Sequence, residues 1–512
     1  MRSRGMMSGF MTVGFWTLMS RILGFVRDIL IASYLGTGPV AEAFLVAFSL
    51  PNMFRRFFAE GAFNMAFVPM FSKKLEGGEG AHTFARDAMS GLAGILIVFT
   101  IIAQFFMPWL VLAMASGFAN DARFDLAVFY GRIVFPYILF ISLAALLSGV
   151  LNSSGRFAAA AAAPVLLNIL LVTSMLTAHR AGWDMGTTIS ITVPIAGIAQ
   201  MAIVWVAASR AGYRLIPRRP RMTPDLKRLM IIAAPAALAG GVVQINLLVG
   251  RQVASHFEGA VAWLSYADRL YQLPLGVVGI AVGIVLLPEL SRRLRAEDFA
   301  GSRDALSRAG EISLALTIPS AVALVVIPIP LVRVLFERGA FGTDDTAATA
   351  VAVAIYGLGL PAFVLQKLLQ PVYFARENTK TPFYFALFAM VLNAAIAIGL
   401  APFIQFWAAA LATTVAGWTM VLMLALGARR YGETVRFDRR FWRRLIRIVI
   451  ASLFMGVCLW AANLMLGQLF GTGGFEVLAL LLLITAGIVS YFGFGHLIGA
   501  FRLGDFKASL RR

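Results

Sequence analysis

Ile31-Ala-Ser-Tyr-Leu-Gly36 returns 222 residues later as Val253-Ala-Ser-His-Phe-Glu-Gly259. Four more matches follow in order. Pro69-Met-Phe-Ser-Lys-Lys-Leu75 pairs with Pro288-Glu-Leu-Ser-Arg-Arg-Leu294, and Arg86-Asp-Ala-Met-Ser90 with Arg303-Asp-Ala-Leu-Ser307. Phe135-Pro136 pairs with Leu360-Pro361, and Leu167-Asn168 with Leu392-Asn393. The offsets stay between 217 and 225 over about 150 residues. Any one match is weak, but five in register mark an internal duplication, and a duplication decides an architecture before any motif does.

The medium in which the duplicated unit folds follows from composition. Of 512 residues 60% are hydrophobic and only 13% charged, with a formal net charge of +19. Soluble domains carry about 25% charged residues, so this chain lacks the polar surface of a soluble enzyme, a disordered chain or a disulfide scaffold. Cys458 stands alone, and His82, His179, His256 and His496 are scattered. No disulfide framework, metal site or cofactor is therefore expected. The basic Met1-Arg-Ser-Arg4 start leads into an apolar run interrupted by Arg21 and Arg27, which reads as a retained first span rather than a cleaved signal.

Roughly 20 apolar residues cross a bilayer, and the apolar runs divide into about fourteen spans, among them 40–72, 88–115 and 310–336. Sorting Lys and Arg by alternate connections puts 32 of the 44 on one side and four on the other. That asymmetry sets both termini in the cytoplasm. Most of the +19 thus concerns topology and membrane lipids, not nucleic acid. Six spans separate the copies, and an even number makes the repeat parallel, with an axis along the membrane normal. The expected fold is an all-α polytopic membrane protein with about fourteen transmembrane helices. Two six-helix lobes, 1–222 and 223–430, would surround a central cavity, and two extra C-terminal helices occupy 431–512. Asp344-Asp345 reads as a helix N-terminus.

Charge at bilayer depth costs at least about 2.5–3.5 kcal/mol, so each such residue needs a partner, a cavity or the interface. Span one carries Arg21, Gly24, Arg27 and Asp28; span two carries Glu42, Ser49, Asn52, Arg55, Arg56 and Glu60 around Pro51; span eight carries Asp268, Arg269 and Gln272 before Pro274. One reading has Arg27–Asp28 and Arg56–Glu60 neutralise each other, with arginines at the cytoplasmic ends snorkelling to headgroups. The other is a net cationic pocket, because Asp28, Glu42, Glu60 and Asp268 cannot cancel Arg21, Arg27, Arg55, Arg56 and Arg269. Guanidinium forks match phosphate oxygens, so such a pocket suits a lipid-linked pyrophosphate. Pro51, Pro136, Pro274 and Pro361 supply breaks or bends for lobes that rock.

Three segments carry a resemblance: Ser20-Arg-Ile-Leu-Gly-Phe-Val-Arg-Asp28, Leu50-Pro-Asn-Met-Phe-Arg-Arg-Phe-Phe-Ala-Glu-Gly61 and Ser265-Tyr-Ala-Asp-Arg-Leu-Tyr-Gln-Leu-Pro274. They resemble the MurJ (MviN) lipid II flippases of the multidrug/oligosaccharidyl-lipid/polysaccharide exporter superfamily, over essentially the whole chain. The resemblance implies a transporter in the cell inner membrane, not an enzyme. It would move undecaprenyl-pyrophosphate-linked peptidoglycan precursor to the outer leaflet by alternating access, with peptidoglycan-synthesis machinery as candidate partners. It also implies that Arg21, Arg27, Arg55 and Arg269 line the cavity and bind the diphosphate, with Asn52 and Glu42 beside them. Asp28, Arg56, Glu60 and Asp268 would be supporting charges, and the last two helices a groove for the lipid tail. Helical phase from Glu42 favours Arg56 as the cavity residue, whereas the resemblance favours Arg55. Two other readings are weighed. A drug/cation antiporter or another polysaccharide-lipid flippase would share the superfamily, the antiporter with an acid-dominated cavity; a polyprenyl-dependent glycosyltransferase would need a large outer loop, and the outer connections near 116–125 and 338–345 are short.

Overall fold

Inside a bilayer the backbone has no water to bond, so each N–H and C=O must be satisfied within the chain. The structure, a computed structural model describing residues 2–55, 62–78, 80–467, 469–471 and 474–500, meets this with eighteen α-helices and, among the described residues, no strand. Ten helical stretches among those residues are long and apolar enough to cross a membrane.

The chain forms two compact units, Met1–Ala262 with Arg338–Phe341, and Trp263–Glu337 with Gly342–Arg512. The first begins with α1 (Arg2–Leu35), α2 (Pro39–Arg55), α3 (Ala62–Gly77), α4 (Ala81–Phe105) and α5 (Met107–Met114). It continues with α6 (Ala122–Val134), α7 (Tyr137–Ser153), α8 (Ala158–Ala181), α9 (Met185–Arg210) and α10 (Pro224–Ser255). Next come α11 (Ala260–Arg295), α12 (Phe299–Val326), α13 (Pro328–Phe336) and α14 (Thr343–Phe374). The last four are α15 (Lys380–Ile404), α16 (Trp407–Ala428), α17 (Arg439–Leu466) and α18 (Glu476–Leu497).

Several of the expected spans are pairs of helices, 126–151 among them with α6 and α7. The run 88–115 breaks at Phe106 between α4 and α5, and 310–336 breaks at Ile327 between α12 and α13. Both short helices carry proline in their first turn, where its missing N–H costs nothing but its ring blocks continuation from the preceding helix. Residues 56–61, between α2 and α3, lie outside the described residues. Of the four candidate hinge prolines, Pro136 separates α6 from α7, while Pro51, Pro274 and Pro361 lie within continuous helices. Asp345 does start α14: its Oδ2 accepts from the Gly342 N–H at 2.9 Å, and its Oδ1 from Trp263 Nε1 at 2.8 Å.

The duplication reappears in how each copy of the repeat takes hold of the helix that follows it. In the first, the Arg218 N–H donates to Ser90 Oγ at 2.9 Å, and the Arg218 guanidinium pairs with Asp87. In the second, the Asp438 N–H donates to Ser307 Oγ at 3.1 Å. Ser90 and Ser307 are equivalent in the repeat. The captured helices begin alike, with Thr223 capping α10 through the Leu226 N–H and Asp438 capping α17 through the Phe441 N–H at 2.6 Å. Leu226 lies against Gly91 of α4, and Phe441 against Gly310 of α12; a Cβ on either glycine would come within 2.9 Å and 2.8 Å of them. The contact boundary at 262/263 therefore falls one helix beyond the expected repeat boundary at 222/223.

Further along, α17 lies on α12 through Ile448, Met455 and Leu459, and Tyr491 of α18 donates to the Ala315 carbonyl at 2.6 Å. Gly456 permits the close approach, since a Cβ there would lie 2.8 Å from Val322. The outer faces of α17 and α18 are apolar and exposed, including Leu453, Val457, Trp460, Leu481 and Val489.

Asp438 ties the start of α17 to α12, because Arg308 bonds both Asp438 and the buried Glu311, which also receives Arg444 Nη1 at 3.0 Å. Burial pushes the Asp438 carboxyl up, but the Phe441 N–H and the Arg308 guanidinium outweigh it and hold it below the ordinary value. A depressed carboxyl stabilises fully above its unfolded value of about 3.9 and ceases to do so as pH falls through the folded value. Asp438→Ala is expected to cost about 0.5–2 kcal/mol from the cap alone. Thermal unfolding of purified protein from pH 3 to 7 should show that loss at neutral pH and its disappearance in acid, with Asp438→Asn, which keeps the cap, less affected.

Candidate functional site

Arg27 lies on α1, whose buried side packs against α8. It is 8% exposed and Asp28 is 7% exposed, so both charges are out of water. Arg27 Nε and Nη2 donate to Asp28 Oδ1 at 3.0 and 2.7 Å. Arg27 Nη1 donates to Asn168 Oδ1 on α8 at 2.9 Å, while Asn168 Nδ2 donates to the Ser20 carbonyl at 2.9 Å. Asn168 lies beside Gly24, where a Cβ would make ordinary van der Waals contact with its Nδ2 at 3.5 Å. The pair expected from the sequence is formed, and Asn168 fixes the plane of its guanidinium. Asn168 was noted only as a repeat marker; the signal for its role was an amide in the middle of an apolar span, where a polar side chain needs a partner. Arg21, two turns toward the N-terminus of α1, is exposed.

On α2, Glu42 is fully buried. Its Oε2 pairs with Arg123 of α6 at 2.8 Å and its Oε1 accepts the Val261 N–H at 2.9 Å. Both oxygens are thus occupied, and in this structure Glu42 clamps α2 to α6 and to the start of α11 rather than facing a ligand. Arg123, one of the four basic residues that the sequence assigns to the outer side, is 6% exposed; it also pairs with Asp121 at 2.6 Å and lies 4.4 Å from the Phe118 ring centroid. Burial of Asp121 is outweighed by the Arg123 side chain and backbone N–H, which hold that carboxyl below its ordinary value. Asn52 donates to the Phe48 carbonyl of its own helix at 2.7 Å, and Arg55, in the last turn of α2, is half-buried. Arg56 and Glu60 lie outside the described residues.

In the second unit α11 carries Arg269, which is exposed, and Asp268, half-buried and accepting from Gln272 Nε2. One turn on, Tyr271 stacks near Tyr356 and Phe363, with centroids 4.9 and 5.5 Å away. The first unit therefore offers Arg21, Arg27 and Arg55, and the second Arg269. Such guanidiniums at helix positions in a bilayer can take an anion with phosphate oxygens. No group of three or more His, Cys, Asp or Glu side chains able to hold a metal ion occurs among the described residues.

Known proteins give this arrangement a context. The family described as Lipid II flippase MurJ matches residues 31–481. A probable lipid II flippase MurJ of Rhizobium tropici is 44% identical, with 98% of this chain and 96% of that protein covered. The one from Rhizobium meliloti (strain 1021) is 46% identical at the same coverage. A solved lipid II flippase MurJ in an inward closed conformation superposes with a TM-score of 0.80 at 27% identity, covering 95% of this chain and 98% of that one. An inward-facing multidrug resistance MATE family transporter reaches a TM-score of 0.64 at 13% identity, over 82% of this chain and 97% of that one, a likeness of fold alone. A multi-pass helical membrane protein with buried guanidiniums in its first unit, this chain belongs to the lipid II flippase MurJ family.

Proposed function

We propose that this protein is a lipid II flippase, moving the undecaprenyl-pyrophosphate-linked precursor from the inner to the outer leaflet of the cell inner membrane. The observation that carries the reading is Arg27, a buried guanidinium held in orientation by Asp28 and Asn168, in a chain that matches lipid II flippases along nearly its full length. Three of its N–H groups are used in the bonds described. The two beyond them suit a diphosphate oxygen, and Arg21, Arg55 and Arg269 would share the remaining charge.

In this reading about fourteen spans form lobes 1–222 and 223–430 around a central cavity, with 431–512 guiding the lipid tail and both termini in the cytoplasm. The cavity is cationic while empty, so the bound diphosphate offsets its self-repulsion and favours closure over the headgroup. The lobes then rock and the headgroup is released outside, while the tail stays in lipid. Arg55 ranks above Arg56, and Glu42 supports the site by holding helices in place. A drug/cation antiporter shares the fold, but a cationic substrate is repelled by arginines where an acid-lined cavity would attract it.

Arg27→Ala and Arg269→Ala are each expected to abolish growth in cells dependent on this protein while membrane levels stay normal; normal growth of both would remove these residues from the site. Asn168→Ala should lower flipping by about tenfold to a hundredfold, the worth of one hydrogen bond to a charged group, and Asn168→Gln should not restore it, the longer arm being unable to reach both Ser20 and Arg27. Reporter fusions at the C-terminus and after Ala181 should give cytoplasmic and outer signals respectively. The reverse pattern would overturn the orientation.

A further inference from the structure

Six arginines crowd residues 436–447 at the start of α17, and they divide by face. Arg444 Nη1 lies 3.0 Å and Arg440 Nε 3.8 Å from the carboxylate of the buried Glu311 on α12. With Arg308, which bonds Asp304, Glu311 and Asp438, they set three cations against three carboxylates. Arg439, Arg443 and Arg447 stand apart from this network. All three are exposed, and among the described residues none pairs with a carboxylate. Arg447 Nη1 donates at 3.0 Å to the neutral carbonyl of Gly499, just beyond α18. Spaced i, i+4 and i+8, the three form a stripe about 12 Å long on one face of the helix. Like charges at that spacing repel, and cations at a helix N-terminus oppose its dipole. The stripe therefore costs stability, a cost that a bound anion would relieve.

The duplication supplies a control. α10 and α17 begin alike, Thr223 and Asp438 capping through the N–H groups of Leu226 and Phe441. Arg439, Arg443 and Arg447 thus correspond to Pro224, Arg228 and Ile232. Both helices follow basic connections assigned to the cytoplasm, yet α10 keeps one of the three cations. Orienting the chain does not require the row. Further down α17 the same face turns apolar. Ile446, Ile450, Leu453, Val457 and Leu464 are exposed, and all lie within about 40° of Arg439 around the helix. They make a lane roughly 27 Å long, close to the depth of a bilayer's hydrocarbon. Phe454 stacks on Phe494 of α18 at 4.2 Å, so α18 flanks the lane. Charge at one end and a membrane-deep apolar lane below it match the outline of an extended lipid.

We propose that Arg439, Arg443 and Arg447 form an interfacial seat for the diphosphate of the lipid substrate, held on α17 in the cytoplasmic leaflet before the headgroup passes to the transport site. Their number favours a diphosphate over the single phosphate of a membrane phospholipid: three uncompensated guanidiniums in one row suit a group carrying more than one negative charge. The seat rests on the flippase reading and adds to it a loading step.

The test reconstitutes the full chain in phosphatidylcholine vesicles and follows the initial flipping rate against lipid II density. Replacing the three arginines together by lysine keeps every charge that orients the chain but loses the forked donors; replacing them by glutamine removes both. The glutamine variant should need about tenfold or more lipid II for half its maximal rate, and the lysine variant about threefold or more. Maximal rates should hold, because the transport site is intact. Unchanged half-saturation in both variants overturns the seat, as does a fall in maximal rate alone. Should the glutamine variant insert poorly, the lysine variant decides. Phosphatidylglycerol mixed in at the density of lipid II should leave the unaltered protein's half-saturation in place. A shift to the glutamine variant's value would give the seat to membrane phospholipid and overturn the assignment. Unaltered protein that moves no lipid II contradicts the flippase reading and the seat together; variants with normal half-saturation in a protein that flips contradict the seat alone.

Discussion

Taking the Arg27 charge out of water is costly unless it is paired and hydrogen-bonded, and the first unit supplies both kinds of partner. Asp28 supplies the countercharge from the same helix, and Asn168 supplies an acceptor from α8. Asn168 in turn needs the Ser20 carbonyl for its own amide, which brings α8 back onto α1 one turn before Gly24. A buried ion pair that is fully hydrogen-bonded is a weak source of stability, since desolvation consumes most of its attraction. Its value here lies in orientation: a guanidinium with its plane fixed presents its remaining N–H groups in one direction. Remove Asp28 and an uncompensated charge stays buried.

The same economy of polar groups recurs at the ends of helices. Glu42 and Arg123 bind α2 to α6, and the Val261 N–H uses the last oxygen of Glu42. Ser90 and Ser307 each hold the linker to the next helix, and glycines beside them let Leu226 and Phe441 approach. α17 is consequently held by the second unit much as α10 is held by the first. The two C-terminal helices are not a loose appendage: α17 stands in the second unit where the repeat, taken once more, would place its next helix.

Much of this was legible from residues alone. The all-helical membrane class followed from composition, the duplication from collinear matches, and the Arg27–Asp28 pair from the cost of charge in a bilayer. Family membership followed from three segments around those same charges. Partners distant in sequence were not legible. Nothing local joins Glu42 to Arg123 or Arg27 to Asn168, 81 and 141 residues apart, because side-chain phase says which face a residue occupies and not which helix packs there. The breaks at Phe106 and Ile327 were missed because hydropathy is continuous across them.

The central claim is that this chain carries lipid II across the membrane. The direct measurement is the fraction of lipid II reachable from outside in cells where this protein is the sole lipid II flippase and can be depleted. The account predicts that the outer fraction falls in step with the protein while lipid II accumulates in the inner leaflet. An outer fraction that holds at its normal value after depletion would contradict it.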